Sequence, residues 1–152
     1  MNDPVSLMTA IAALIAAAVA PMVAIRAARL QASRQIFVAT SARFWVAITA
    51  WAATVRRVAS AQTIDQRGIA VVEARTLRQQ IEEAYATISL LSREPWLDMH
   101  WLKRQLRVDQ QLNEFQAGDG STEGLLVHLD DYELALPTVR ERLSNAARRG
   151  PR

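Results

Sequence analysis

The sequence predicts an all-α protein in which an N-terminal transmembrane helix continues into a cytoplasmic antiparallel helical bundle with coiled-coil-like hairpins. A long uncharged apolar stretch opens the chain, apolar residues later recur at spacings of three and four, and no segment shows the alternation of a half-buried strand. The chain of 152 residues therefore divides into a transmembrane anchor over 1–25, a helical domain over 26–149 and a frayed tail over 150–152.

Composition excludes several functional classes. The chain has no cysteine, so disulfides, thiolate metal sites and cysteine nucleophiles are ruled out. Arginine carries the positive charge, with Lys103 the single lysine, and the net charge of +3 comes from 18 basic and 15 acidic residues that are interspersed. Because a nucleic-acid binder more often has a concentrated basic face, we expect no nucleic-acid partner.

The predicted anchor spans residues 5–25, which contain no charged side chain. About 20 helical residues cross a hydrocarbon core of about 30 Å, so the segment is long enough to span a bilayer. A cleaved signal peptide is the alternative. The lack of a basic region before the segment, and Pro21 directly after the small residues Ala18 and Ala20, favour a retained anchor. Pro21 is expected to kink the helix.

Basic residues lie on only one side of this anchor. Arg26, Arg29 and Arg34 follow it, and no lysine or arginine precedes it. The positive-inside rule then places the C-terminal domain in the cytoplasm, with the anchor in the cytoplasmic membrane.

Small residues form a ladder along one face of the anchor: Ala12, Ala16, Ala20 and Ala24. Small residues four apart let transmembrane helices approach closely and pack. The ladder therefore predicts self-association of the anchor, the alternative being that an alanine-rich helix contains such spacing by composition alone.

Residues 26–64 lack glycine and proline, so the anchor is expected to continue as one long helix up to a break at residues 66–68. Residues 36–51 are apolar enough to suggest a second span. However, Arg43 lies within them, and arginine at mid-bilayer costs about 2.5–3.5 kcal/mol on insertion scales. A helix in the core or near the membrane is favoured, with its aromatic residues in the core or at headgroup level: Phe44, Trp45 and Trp51.

The next segment carries an a/d heptad seam. Its members are Ala70, Ala74, Leu77, Ile81, Ala84, Ile88 and Leu91. The residue before a proline avoids the helical region, so Glu94–Pro95 is expected to end this helix, and Pro95 can start the next. This short joint predicts that the two helices are antiparallel neighbours, with Leu77, Ile81, Ile88 and Leu91 largely buried between them.

Two further helices complete the predicted bundle. The helix up to about Gln116 places five apolar residues roughly on one side: Trp101, Leu102, Leu106, Leu112 and Phe115. A flexible glycine-rich loop is expected over 118–124. The last segment repeats the heptad pattern at Leu129, Tyr132, Leu136, Val139, Leu143 and Ala146, and Pro137 within it predicts a kink or two abutting helices.

No pattern in the sequence predicts catalytic, cofactor-binding or metal-binding residues. Asp98 and His100, which stand near Lys103, are two residues apart and so do not share a helix face. His128 and Asp130 have the same spacing. The pair Glu82 and Glu83 lacks the Glu-x-x-His pattern of a bundle di-iron site.

Several short motifs resemble those of a group of small uncharacterised bacterial membrane proteins, which have one N-terminal span and a cytoplasmic helical domain. The matching positions are Arg43, Trp45 and Val46, then Pro95, Asp98 and His100, and more loosely Arg140, Glu141 and Arg142. Trp96 and the scarcity of lysine depart from the group's pattern. The resemblance implies a helical domain of unknown function and supplies no catalytic residue.

These features favour a non-enzymatic, membrane-anchored interaction protein that uses its helical seams to bind itself or a partner, and that acts as an oligomeric scaffold or as a sensor or effector subunit. The expected partners are the lipid bilayer, a second copy of the chain, or another membrane or cytoplasmic protein. Two alternatives stay open. One is a small accessory subunit of a channel or transporter, and the other is a metal-binding bundle enzyme that uses Asp98, His100 and carboxylates of facing helices.

Overall fold

The structure, a computed structural model, describes the backbone of residues 4–92 and 99–149 and the side chains of residues 17, 19–92 and 100–149. This part of the chain consists of four helices and contains no strand: α1 (Pro4–Ser60), α2 (Ile64–Leu91), α3 (Met99–Ala117) and α4 (Thr122–Arg149). The predicted all-α fold, with a long apolar N-terminal helix followed by helices that pack against it, is confirmed.

Helix α1 has 57 residues, which corresponds to about 85 Å at 1.5 Å per residue. Pro21 lies inside it without ending it. The helix has two unlike parts. Side chains described before Phe37 are almost all exposed, whereas from Phe37 onward one face is buried at spacings of four and three: Phe37, Ser41, Phe44, Ile48, Trp51, Val55 and Val58. This second part carries a coiled-coil seam, so one face of residues 36–51 packs in the bundle core.

The turn between α1 and α2 falls at residues 61–63, before the break predicted at 66–68. Thr63 is extended (φ −119°, ψ 155°), and its hydroxyl accepts a hydrogen bond from the Gln66 backbone N–H at 3.2 Å. An N-cap of this kind stabilises a helix start by about 1 kcal/mol, similar to what one exposed helical glycine costs. Gly68 is consequently tolerated inside α2. The predicted position of the break between the two helices was therefore wrong by about one helical turn.

The heptad seam of α2 is confirmed. Ala70, Ala74, Ile81 and Ile88 are buried, and the remaining members are partly buried against the core: Leu77, Ala84 and Leu91. The helix ends at Leu91, and the Ser92 backbone N–H bonds to the Ile88 carbonyl at 2.8 Å. The predicted Glu94–Pro95 end lies outside the described residues.

The closest helix neighbours differ from those predicted. Helix α2 packs on α1, α3 packs on α4, and α4 returns along α1, which gives an up-down-up-down bundle. Helices α2 and α3 do run antiparallel, but they meet mainly through long polar side chains, such as Arg75 with Gln116 and Arg78 with Asp109. The seam of α2 therefore faces α1 first, and the expected close α2–α3 hairpin was wrong.

Helix α3 buries a face that was only partly predicted. Its core positions are Trp101, Gln105, Val108, Leu112 and Phe115, again at spacings of four and three. Leu106, predicted on this face, is 58% exposed, and Leu102 is partly buried. Trp101, Leu112 and Phe115 fix the phase of the helix, and that phase turns the polar Gln105 inward and Leu106 outward.

The glycine-rich stretch after α3 forms a tight turn with defined hydrogen bonds. Gly118 has φ +88°, and the backbone N–H groups of Asp119 and Gly120 both bond to the Glu114 carbonyl at 3.0 Å. This is a glycine helix stop, for which positive φ favours a residue without Cβ. A Cβ on Gly120 would lie 2.7 Å from the Phe115 nitrogen, so a second glycine is needed. The predicted loop is present at residues 118–121, but its predicted end at 124 was wrong, because α4 already begins at Thr122.

Helix α4 runs uninterrupted through Pro137, so the expectation of two abutting helices was wrong. Pro137 lies on the exposed side of α4, away from the buried seam. The predicted seam of α4 is confirmed in its main members. Buried positions are Leu125, Leu129, Tyr132, Ala135, Val139 and Leu143, while Leu136 and Ala146 are partly buried.

Candidate interaction surfaces

The N-terminal part of α1 exposes an apolar surface that no other described part of the chain covers. Val19 is 49% exposed, Met22 74%, Val23 60% and Ile25 54%. Among the described residues, one helix, α1, is long and apolar enough to cross a membrane by length and composition, with a window of mean hydropathy 1.4 within Val19–Ser60. Since 39% of that window is buried, core residues of the bundle contribute to this signal.

The predicted small-residue ladder continues on this exposed part of α1. The side chains of Ala20 and Ala24 are exposed, one helical turn apart. Ala12 and Ala16 lie on α1, but outside the residues whose side chains the structure describes. The described half of the ladder is therefore open to a partner helix.

The three arginines that follow, Arg26, Arg29 and Arg34, are exposed, as the orientation prediction requires. Within the described residues none of them forms an ion pair. They lie on the part of α1 that precedes the bundle core.

The α2 seam has a different role from that of a free binding surface. Ile81 and Ile88 are 1% and 0% exposed, and Leu77 and Leu91 pack on the same core. Because α1 of the same chain covers this seam, it stabilises the bundle and is not available to a second protein. The predicted positions were buried, but their expected use in partner binding does not fit this burial.

Every pair of neighbouring helices is joined by at least one ion pair. These pairs are Arg57–Glu73 (2.7 Å, α1–α2), Arg78–Asp109 (2.7 Å, α2–α3), Arg104–Asp131 (3.1 Å, α3–α4) and Arg56 with Asp130 (2.7 Å) and Glu133 (2.9 Å, α1–α4). Hydrogen bonds to Asp130 and Glu133 raise the pKa of Arg56 above its ordinary value. Exposed pairs add little energy each, but together they favour this helix order over others.

A polar centre lies between α2, α3 and α4. The side chains of Arg78 and Asp109 are only 23% and 24% exposed, and burial raises the pKa of Asp109 although Arg78 opposes the shift. Beside them Tyr132 is fully buried, which raises the pKa of its hydroxyl. Gln105 is also fully buried, and its amide has no hydrogen-bond partner among the described residues. Hydrophobic patterning missed Gln105. Heptad spacing from Trp101 is the signal that could have found it.

Aromatic rings pack around this polar centre. The ring centroids of Trp51 and Tyr132 are 5.1 Å apart at 71°, and Trp101 lies 5.8 Å from Tyr132 and 5.7 Å from Phe44. Edge-on packing of this kind joins α1, α3 and α4 in one cluster. Trp51 and Phe44 are thus core residues, whereas Trp45 is partly buried beside the Arg140 guanidinium, which lies 5.7 Å from its ring centroid.

The described residues hold no group of three or more His, Asp or Glu side chains placed to bind a metal ion. His100 is exposed and His128 is partly buried. Asp98, which the metal alternative requires, lies outside the described residues. The described carboxylates that lie between facing helices, such as Asp109 and Asp131, bond to arginines of the neighbouring helix.

Charge is distributed unevenly along the bundle. We define the proximal half as the end nearer the anchor and the distal half as the other end. The proximal half (residues 26–46, 78–91, 100–103 and 137–149) carries ten basic and three acidic residues. The distal half (residues 47–60, 64–77 and 104–136) carries six basic and nine acidic residues, since Arg104 bonds to Asp131 at the level of Arg56. The bundle therefore has a basic end and an acidic end.

Comparison of the chain with protein-family models, with curated proteins and with solved structures finds no match. The resemblance to small bacterial membrane proteins stays a prediction. Of the residues that carry it, Arg43 is exposed and Trp45 is partly buried, while Pro95 and Asp98 lie outside the described residues.

Proposed function

We propose that this protein is a membrane-anchored, non-enzymatic interaction protein, whose N-terminal helix crosses the inner membrane of a bacterium and holds a four-helix bundle at its cytoplasmic face. One observation carries the proposal: in the single continuous helix α1, the large apolar side chains described between Val19 and Ile25 are uncovered, and from Phe37 onward the same helix forms part of the bundle core. The anchor and the bundle are thus rigidly connected parts of one element.

The bilayer is the proposed cover for the uncovered part of α1. Apolar surface in water costs about 25 cal/mol per Å², so large side chains such as Met22 and Val23 favour an apolar environment. The uncharged residues 5–25 have the length of a span. Arg26, Arg29 and Arg34 then lie at the cytoplasmic side, as the positive-inside rule requires.

The proposed role in interaction, and not in catalysis, is supported by how the polar side chains are used. Carboxylates bond to arginines of neighbouring helices, as Asp109 does to Arg78 and Glu73 to Arg57. These contacts hold the helices in order. The exposed surfaces of α1, which include Ala20 and Ala24, are what the chain offers to others.

A second copy of the chain is the proposed partner within the membrane. Inside lipid there is no hydrophobic drive between helices, so close backbone approach at small residues is the main source of packing energy. The alanine ladder from Ala12 to Ala24 offers such an approach on one face.

Extraction and reporter fusions test the anchor and its orientation. The chain is expected to stay in the membrane pellet after alkaline carbonate treatment, and a C-terminal green fluorescent protein fusion is expected to fluoresce while an alkaline phosphatase fusion is inactive. Release by carbonate would contradict the anchor. An active phosphatase fusion with a dark fluorescent fusion would contradict the orientation.

A further inference from the structure

We infer that the basic proximal half of the bundle docks onto anionic lipid headgroups, so that the bundle lies against the same bilayer that anchors it. This inference rests on the proposed membrane anchor. The partner surface is defined by exposed basic residues of three helices: Arg34 and Arg43 of α1, Lys103 of α3, and Arg148 of α4.

The two halves use their basic residues differently. Five of the six basic residues of the distal half are engaged within the chain. Arg56, Arg57 and Arg104 form ion pairs, the Arg67 guanidinium lies 4.8 Å from the Phe115 ring centroid, and Arg75 bonds to Gln116. By contrast, the exposed proximal residues Arg34, Arg43, Lys103 and Arg148 form no ion pair with any residue the structure describes. Unneutralised like charges at one end favour an anionic partner outside the chain.

Topology brings the end of α4 back toward the anchor. Arg56 lies beside Asp130 and Trp45 beside Arg140, so the two helices run antiparallel in nearly equal steps. The same register places Arg148 near the level of Phe37. Along α1 this level is about 16 Å from Arg26, at 1.5 Å per residue. A headgroup layer about 5–7 Å thick leaves roughly 10 Å, about one Debye length at physiological salt.

Lipid fits this surface better than a soluble anionic partner because the anchor holds the proximal end beside the bilayer permanently. A tethered surface acts at a high effective concentration, so even a few weak contacts suffice for docking. Each arginine near an anionic leaflet favours the docked state by on the order of fivefold. A modest tilt of α1 brings Arg34 and Arg148 into the headgroup layer together.

The lack of cysteine makes a depth measurement simple. A fluorophore is attached to Asn145→Cys, on the exposed proximal part of α4, or to Asp119→Cys, in the distal turn. The full chain is reconstituted into nanodiscs of phosphatidylcholine, or of phosphatidylcholine with phosphatidylglycerol. Quenching by nitroxide-labelled headgroups reports how near each label lies to the bilayer.

We expect stronger quenching at Asn145→Cys in anionic discs than in neutral discs, a difference that high salt removes, and weak quenching at Asp119→Cys in both. Replacing Arg34→Gln and Arg148→Gln together should reduce the ratio of docked to undocked bundle by roughly 25-fold, at about fivefold per residue. The matched distal pair Arg67→Gln and Arg75→Gln removes the same charge and should leave the quenching unchanged.

Equal quenching of Asn145→Cys in neutral and anionic discs would overturn the inference while the anchor stands. An equal effect of the proximal and distal pairs would also overturn it, since the loss would then reflect net charge alone. Release of the chain from discs or vesicles by alkaline carbonate would instead contradict the anchor itself, and the two failures are therefore distinguishable.

Discussion

The proximal and distal halves of the bundle share one packing scheme and differ in how they use charge. Heptad seams on all four helices run through both halves, with Phe37 and Ile88 at one end and Val58 and Leu125 toward the other. The distal half engages most of its arginines with a carboxylate, an amide or an aromatic ring of a neighbouring helix, whereas the proximal half leaves several exposed and without an ion pair among the described residues. Packing of apolar side chains thus stabilises the whole bundle. Charged side chains stabilise the distal half through contacts within the chain, whereas several in the proximal half remain available to a partner outside it.

The largest effect is expected from the shared core. Replacing Trp51→Ala removes a side chain that is 1% exposed and packs edge-on against Tyr132, and it should reduce the free energy of unfolding by about 3–5 kcal/mol. Ile81→Ala and Ile88→Ala should cost about 2–5 kcal/mol each. Denaturant unfolding in detergent, followed by circular dichroism, measures this. Val46→Ala, at a position 63% exposed, is the control and should change little.

An intermediate effect is expected at the polar centre. Asp109→Ala leaves the partly buried Arg78 without its cross-helix partner and should cost about 1–3 kcal/mol. If Asp109→Ala costs nothing in the same unfolding experiment, the α2–α3 contact is not a stabilising feature of the fold.

The pH dependence of this site follows from the direction of its shift. Because burial raises the pKa of Asp109, the folded state binds its proton more readily than the unfolded state does. The wild type should therefore lose stability relative to Asp109→Asn as pH rises from about 4 through the raised pKa, and regain it as pH falls. Unfolding curves of both proteins across this range measure the difference. A relative gain for the wild type with rising pH would contradict burial as the dominant cause.

The alanine ladder should affect assembly with little effect on the fold. Ala20→Leu with Ala24→Leu keeps the anchor apolar but holds two helix backbones apart, so the dimer should shift toward monomer at equal protein concentration. Crosslinking in mild detergent measures this. Met22→Leu, at an exposed position on the opposite face of the helix, is the matched control. An unchanged dimer would show that the spacing reflects alanine composition alone.

The smallest effects separate the two halves most clearly. Arg56 bonds to both Asp130 and Glu133, and Arg56→Ala should cost up to about 1 kcal/mol of stability, as expected for an exposed pair. Arg34→Ala should cost nothing measurable, because it has no partner among the described residues. Equal losses for the two variants would erase the proposed difference between the halves.

Periodicity predicted the parts of this fold that depend on local pattern. The α2 seam and most of the α4 seam were found because large apolar residues stand at a and d positions. The α1 seam was not recognised, since its surroundings are apolar all round and hide the spacing of Phe37, Phe44 and Trp51. In α3 the buried Gln105 and the exposed Leu106 reverse the usual preference, which hydrophobicity alone does not predict.

Boundaries and neighbours depend on information that periodicity lacks. The start of α2 is set by the Thr63 cap and not by Gly68, and the turn after α3 is shortened by hydrogen bonds to the Glu114 carbonyl. Adjacency of α2 and α3 in sequence suggested a close hairpin. Contacts between residues far apart in the sequence produce a different arrangement, in which α4 packs along α1 through contacts with Arg56 and Trp45. The exposed arginines were visible in the sequence, but their collection at one end required the helix directions.

The most direct test of the central claim, one helix that is membrane-embedded at one end and bundled at the other, uses single cysteines in closed inverted vesicles. Val19 is 49% exposed in the protein itself, so Val19→Cys would react with a membrane-impermeant thiol reagent unless lipid covers it. We predict that Val19→Cys stays unmodified while Asp119→Cys, in the distal turn, is modified from the cytoplasmic side. Modification of Val19→Cys, or protection of Asp119→Cys until the vesicles are opened, would contradict this account.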